Sequence, residues 1–202
     1  MNALQNMVAG FDHEAFGSQA VFRTALQALS HPGRPLEMPL NMRLPRQGHG
    51  AAAALLLGLL DADTPVCLSP GLVGSDAAAW LRFHTGCSEV ADVAQAQFIW
   101  VGQGDALPLL HNLRQGSDAY PDQSATCVIE VQNLHADEAG WRLQGPGILG
   151  ERTLRVQGLA AEFPNQWSRN HAGFPCGVDV FLVTATHIVG LPRTTRIISE
   201  ES

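Results

Sequence analysis

The chain has no lysine. All twelve of its basic residues are arginine, and that alone closes two chemistries to it. A pyridoxal-phosphate enzyme needs a lysine amine for its internal Schiff base, and a P-loop needs one to reach the nucleotide phosphates. Charge of either sign is scarce: 15% of the 202 residues are charged, against about 25% in an average soluble domain. A surface so poor in charge is covered in part by apolar or neutral groups, which favours burial against another subunit. Acid prevails in what charge there is. A net charge of −7 with scattered arginines repels nucleic acid and anionic membrane. The longest apolar run, Ala51 to Leu60, is half of the ~20 residues that span a bilayer. No Cys-x-x-Cys occurs among Cys67, Cys87, Cys127 and Cys176, so zinc-ribbon and thioredoxin-type readings fail. The eight histidines show neither H-x-x-x-H nor H-E-x-x-H spacing, which leaves a metal site without support. There is no G-x-S-x-G either. With no signal-peptide pattern at its start, the chain is expected to be cytoplasmic with free thiols.

What is present reads as α/β with a mixed sheet flanked by helices, in a single domain over residues 1–202. Residues 1–10 read as a frayed start. Phe22, Ala25, Leu26 and Leu29 lie at helical spacing over Ser18 to Leu29, with Ser18 as cap and Ser30-His31-Pro32-Gly33 as stop. Residues 34–38 read as a short extended piece and residues 39–50 as a polar loop. Ala51 to Leu60, apolar on every side, predicts a buried helix. Strands are expected over Pro65–Ser69, Gln97–Val101, Thr126–Val131, Trp141–Leu143 and Thr153–Val156. Helices are expected from Ser75 or Asp76 to Thr85, over Asp105–Gln115 and over Ala160–His171. The run from Phe174 to Thr195 predicts two buried strands in a hairpin.

Charge set against that hairpin must be paired or functional. With the turn at Thr184–His187, Asp179 faces Pro192 and Arg193 faces Val178. A slip of one residue puts Asp179 opposite Arg193 on one side of the sheet. Either Arg193 holds an anion with Asp179 orienting it, or the two form a structural ion pair at a strand edge. Arg193-Thr194-Thr195 combines a bidentate fork with two hydroxyls, a set that suits phosphate, or marks a strand end meeting solvent. Arg82 and His84 near a helix C-terminus complement its dipole, or serve a site or an interface. Gly71 to Asp76 reads as an ordinary helix cap, Asp61-x-Asp63 as a turn, and Gly145-Pro146-Gly147 as a tight bend. Residue chemistry alone describes a subunit more readily than a self-sufficient catalyst. The enzyme reading is a phosphate- or nucleotide-binding chain with its pocket near Arg193.

Several segments, in this order, resemble the H subunits of the bacterial carbon–phosphorus lyase core complex, the PhnH family of phosphonate metabolism. They are Val21-Phe22-Arg23 through Ser30-His31-Pro32-Gly33, Asp61 to Val66, and Leu81-Arg82-Phe83-His84-Thr85. Leu143 to Ile148, Phe174-Pro175 to Asp179, and Leu191-Pro192-Arg193-Thr194-Thr195 complete the set, so that residues 16–197 are covered. The resemblance implies the fold of pyridoxal-phosphate-dependent transferases without a working cofactor site, in keeping with the missing lysine. It implies partners: the G, I and J subunits, with docking on J, and self-pairing when alone. The implied assembly converts an alkylphosphonate and ATP, with displacement of adenine, into a ribose 1-phosphonate 5-triphosphate, whose carbon–phosphorus bond J then breaks by radical chemistry. It supplies no catalytic residue and no cofactor for this chain. Arg82, His84, Asp179, Arg193, Thr194 and Thr195 stand as anion-binding or interface candidates.

Overall fold

Strands that are apolar on both faces need cover on both faces, and that requirement sets the architecture. A computed structural model describes residues 10–136 and 140–198; the expectation for residues 1–9 lies outside them. Seven strands form the main sheet: β1 (Leu36–Glu37), β2 (Pro65–Leu68), β3 (Ser88–Glu89), β4 (Phe98–Val101), β5 (Thr126–Glu130), β9 (Asp179–Val183) and β10 (His187–Leu191). Their order is β1-β10-β9-β5-β4-β2-β3. Strands β3, β2, β4, β5 and β9 are parallel neighbours, and β10 runs antiparallel to β9 and β1. A second sheet, all antiparallel, has the order β11-β7-β8-β6, from β6 (Asn133–His135), β7 (Trp141–Gln144), β8 (Arg152–Gln157) and β11 (Arg196–Ile198).

The strand residues alternate between two cores. Val66, Leu68, Trp100, Val128, Phe181 and Ile188 face helices α1 (Glu14–Ser30), α2 (Gly50–Leu59) and α3 (Asp76–Thr85). Cys67, Ile99, Cys127, Ile129, Val180 and Leu191 face the second sheet and α4 (Phe163–Ala172), whose Phe163 and Trp167 are wholly buried. Helix α2 is the apolar helix expected from the sequence. Ala51 to Ala54 are fully buried, and their small side chains let α1 and the sheet approach it closely.

Three expectations need correction. Helix α1 begins at Glu14, not Ser18, because Phe11 packs over Gly17: a Cβ there would lie 2.5 Å from the ring. Glu14 in its first turn complements the helix dipole. The helix expected over Asp105–Gln115 is only a 3-10 turn at Leu110–Asn112. Pro108 disfavours helical geometry in Leu107, and the Asp105 carboxylate is spent on the β2 loop described below. Strands β3, β6 and β11 were not anticipated; each is two or three residues long.

Candidate functional site

Hairpin β9–β10 takes the unslipped register. Leu191 pairs with Val180, which carries Asp179 to the level of Pro192. The ion pair forms without the slip. The ladder ends at Leu191 and Thr195 N–H donates to Pro192 O in a turn, so the chain bends and Arg193 folds back on Asp179. The Arg193 backbone N–H donates to Asp179 Oδ1 at 2.8 Å. Its side chain donates from Nε to Oδ1 at 3.2 Å and from Nη2 to Oδ2 at 2.6 Å. Nη2 also donates to Ser124 Oγ, and Nη1 to Pro121 O at 2.9 Å and Pro175 O at 3.3 Å. A guanidinium has five N–H donors, and every one of them has a partner within the chain. The Arg193 side chain is 12% exposed. It clamps three segments together: residues 121–124, residues 175–179 and its own bend after β10.

Around the clamp, the glycine-bearing bends meet. Arg152 Nη1 donates to His31 O and Pro32 O. A Cβ on Gly147 (φ 82°) would lie 2.2 Å from Ser30 O, and one on Gly145 would lie 2.8 Å from Thr194 O. Here glycine is required by close backbone approach as well as by conformation. Trp167 Nε1 donates to Thr195 O at 2.8 Å. Thr195 is fully buried, and its Oγ1 has no hydrogen-bond partner among the described residues. His171 Nδ1 contacts Arg193 O at 2.9 Å while its Nε2 accepts from Arg196 Nε at 3.0 Å; the carbonyl requires Nδ1 to carry the proton. Thr194 is half-buried beside Gly145. Asp179, Arg193, Thr194 and Thr195 therefore come together, at the amino-terminal edge of the parallel strands, as a joint between the two sheets.

Arg82 and His84 are not part of it. They lie in the last turn of α3, in the layer over the opposite face of the main sheet. Ser75 caps the start of that helix by accepting from Ala78 N–H at 3.1 Å, and Gly86 ends it in the left-handed conformation. Arg82 is exposed and lies 3.9 Å from Glu89. His84 makes edge contacts with Trp80 and Phe83, with ring centres 4.9 and 5.1 Å apart. Asp61 closes the expected turn by accepting from Asp63 N–H and Thr64 Oγ1.

Ligands in open α/β sheets bind outside the carboxyl ends of the strands, where strand order reverses. In this chain β2 leads outward to β3 and the chain then returns to β4 on its other side, so the crevice falls at the ends of β2 and β4. The chain's own side chains occupy it. Ser69 Oγ donates to Asp105 Oδ2 at 2.5 Å and accepts from Gly102 N–H, and Gly71 N–H donates to the same carboxylate. Asp76 accepts from the backbone N–H groups of Arg46 (2.7 Å) and Gln47 (3.1 Å). Glu130, 3% exposed at the end of β5, accepts from His49 N–H at 2.5 Å, Trp100 Nε1 at 2.9 Å and Gln103 N–H at 3.1 Å. A Cβ on Gly48 would lie 2.5 Å from Trp100 Cζ2. Residues 46–49 thus lie strapped across the carboxyl edge by two carboxylates. Sequence reasoning missed this cluster. Its signal was Glu130, a charge inside the apolar run Thr126 to Val131. Among the described residues no group of three or more His, Cys, Asp or Glu is placed to hold a metal ion.

Comparison with known proteins matches residues 9–198 to the model of a family described as bacterial phosphonate metabolism protein (PhnH). This chain belongs to the PhnH family. It is 34% identical over 200 residues to the PhnH subunit of alpha-D-ribose 1-methylphosphonate 5-triphosphate synthase of Rhizobium meliloti (strain 1021), covering 98% of each chain. It is also 35% identical over 182 residues to HtxG of Stutzerimonas stutzeri, named as a C-P lyase subunit protein, covering 89% of this chain and 85% of that one. Both relatives carry the word subunit in their names, and no helix among the described residues is long and apolar enough to cross a membrane.

Proposed function

We propose that this PhnH-family chain is an accessory, non-catalytic subunit of the carbon–phosphorus lyase core complex. It supports transfer of an alkylphosphonate onto the ribose of ATP with loss of adenine, and works in the cytoplasm with the G, I and J subunits, docking directly on J. Alone, it pairs with itself. One observation carries the non-catalytic part: the crevice where an α/β sheet receives its ligand is filled by residues 46–49, held by Asp76 and Glu130. The basic group best suited to an anion, Arg193, has all its donors engaged inside the chain. In this reading the fold keeps the plan of pyridoxal-phosphate-dependent transferases while lacking their lysine, and the Arg193 joint makes the two sheets one domain.

The test is co-expression with the G, I and J subunits followed by size-exclusion chromatography with a mass readout. Elution of all four in one particle is the expected result. Elution of the other three together without this chain overturns the reading.

A further inference from the structure

Both nitrogens of the His49 ring face acceptors. Nε2 lies 2.9 Å from Gln103 Oε1 and 4.0 Å from Glu130 Oε2, and Nδ1 lies 3.4 Å from Val183 O. That carbonyl accepts from Val131 N–H and has a second lone pair to offer. A neutral imidazole carries one N–H and donates to one side only, whereas the imidazolium donates to both. Glu130 is 3% exposed, and a carboxylate so deeply buried is stabilised by a cation beside it. The His49 side chain is 19% exposed, so protons can pass between ring and solvent. Among the described residues, five other charged or titratable groups lie on the elements packed around it. Asp105 is engaged by Ser69 and Gly71, Asp76 by the backbone of Arg46 and Gln47, and His187 by Thr186. Arg43 and Arg46, on its own segment, are exposed to water. The amino end of α2, at Gly50, opposes a positive charge on His49. Glu130 is the group that favours it.

We propose that His49 is a proton-operated latch on the strap across the carboxyl edge. With both ring nitrogens protonated, it ties residues 46–49 to Val183, Gln103 and Glu130 and holds the crevice shut. With one proton lost, one side of the ring meets an acceptor without a hydrogen to give it, and the strap loosens over Trp100 and Glu130. The strap suits such a device. Arg46 and Gln47 are exposed, and hydrogen bonds to Asp76 and Glu130 hold the segment in place of buried apolar side chains. Segments held in that way are the ones that open locally. Gly48, at φ 77°, makes the bend that lies on Trp100. Closing the latch binds a proton. The closed form therefore gains as pH falls through the range near ~6.5 in which an imidazole titrates, and loses as pH rises through it. Each tenfold change in proton concentration moves the ratio of closed to open by up to about tenfold. The latch is independent of the subunit reading, and its test needs no partner subunit.

The full chain, carrying isotope-labelled histidine, is titrated from about pH 5 to about pH 8. Ring-nitrogen NMR spectra report the protonation of each imidazole, with His49 identified by the signals lost in His49→Gln. Hydrogen exchange read by mass spectrometry, corrected for the intrinsic pH dependence of exchange, reports opening of residues 46–50. The expected result is an imidazolium at His49 toward the acid end, with the strap protected about tenfold or more better there than at the alkaline end. His49→Gln is expected to lose that pH dependence. Gln103→Glu, whose side chain as a carboxylate can only accept, is expected to carry the protected state to higher pH, and it gives the answer if His49→Gln proves unstable. A His49 ring that stays neutral throughout, as a donating Gln103 amide would allow, overturns the latch. So does strap protection that is constant with pH, the wild-type pH dependence in His49→Gln, or a Gln103→Glu curve that overlays wild type.

Discussion

Removing the Arg193 side chain tests the clamp. Arg193→Ala removes the charge-assisted bonds from Nε and Nη2 to Asp179, which is 24% exposed even with the arginine in place, and frees Ser124 Oγ and two proline carbonyls. Breaking a buried ion pair by removing one partner costs about 3–5 kcal/mol. The lower figure applies here, because the Arg193 backbone N–H still donates to Asp179 and water reaches the carboxylate. The expected loss is about 3 kcal/mol, or about 6–12 °C in Tm for a chain of this size. Arg193→Lys restores charge without the planar fork and should recover less than half of it. Asp179→Ala should cost about the same as Arg193→Ala, and the double variant should fall short of the sum by about 1–3 kcal/mol, since the two share one interaction. Urea unfolding followed by circular dichroism measures all four. A loss below about 1 kcal/mol for Arg193→Ala, or strict additivity in the cycle, refutes the clamp.

Two further outcomes follow from other parts of the fold. Glu130→Gln offers one oxygen acceptor where the carboxylate offers two, so one of three N–H donors is orphaned and stability should fall by about 1–3 kcal/mol, with a shift in Trp100 fluorescence; unchanged urea unfolding would count against the strap. The Cys176 thiol is pushed up by partial burial and by the Asp118 carboxylate, which accepts its S–H, while Arg193 opposes the rise. Thiolate is the reactive form, so at pH 8 Asp118→Asn should speed alkylation of Cys176, and Arg193→Ala should slow it. Equal rates in all three proteins would exclude that electrostatic control.

The hairpin, α2 and the start of α3 are legible in the sequence because each rests on a local rule: an apolar run bounded by turn residues, or a serine before a helix. The Asp179–Arg193 contact is legible only as a possibility, because two registers differ by one residue. What decides it is the bend at Pro192 and Arg193, which strand pairing alone does not contain. The carboxyl-edge cluster is harder to read. Asp76, Asp105 and Glu130 act on residues 27 to 81 positions away, and no spacing pattern encodes a carboxylate that grips a distant backbone. The same long reach undoes the helix expected at 105–115, whose first residue, Asp105, instead serves Ser69 and Gly71. The short strands β3, β6 and β11 form where neighbouring strands recruit them, without a periodicity of their own.

Strand β1 pairs with β10, Leu36 against Ile188, so β1 waits for a partner that is made long after it. Helix α1 packs over β10 as well, with Gly190 close beneath Ala28. While the ribosome is still making the middle of the protein, neither β1 nor the sheet face of α1 has anything to rest on. Such distant pairings form late. A chain that stops short of β10 therefore leaves α1 unsupported, and only one made through β10 presents that helix in place to its surroundings.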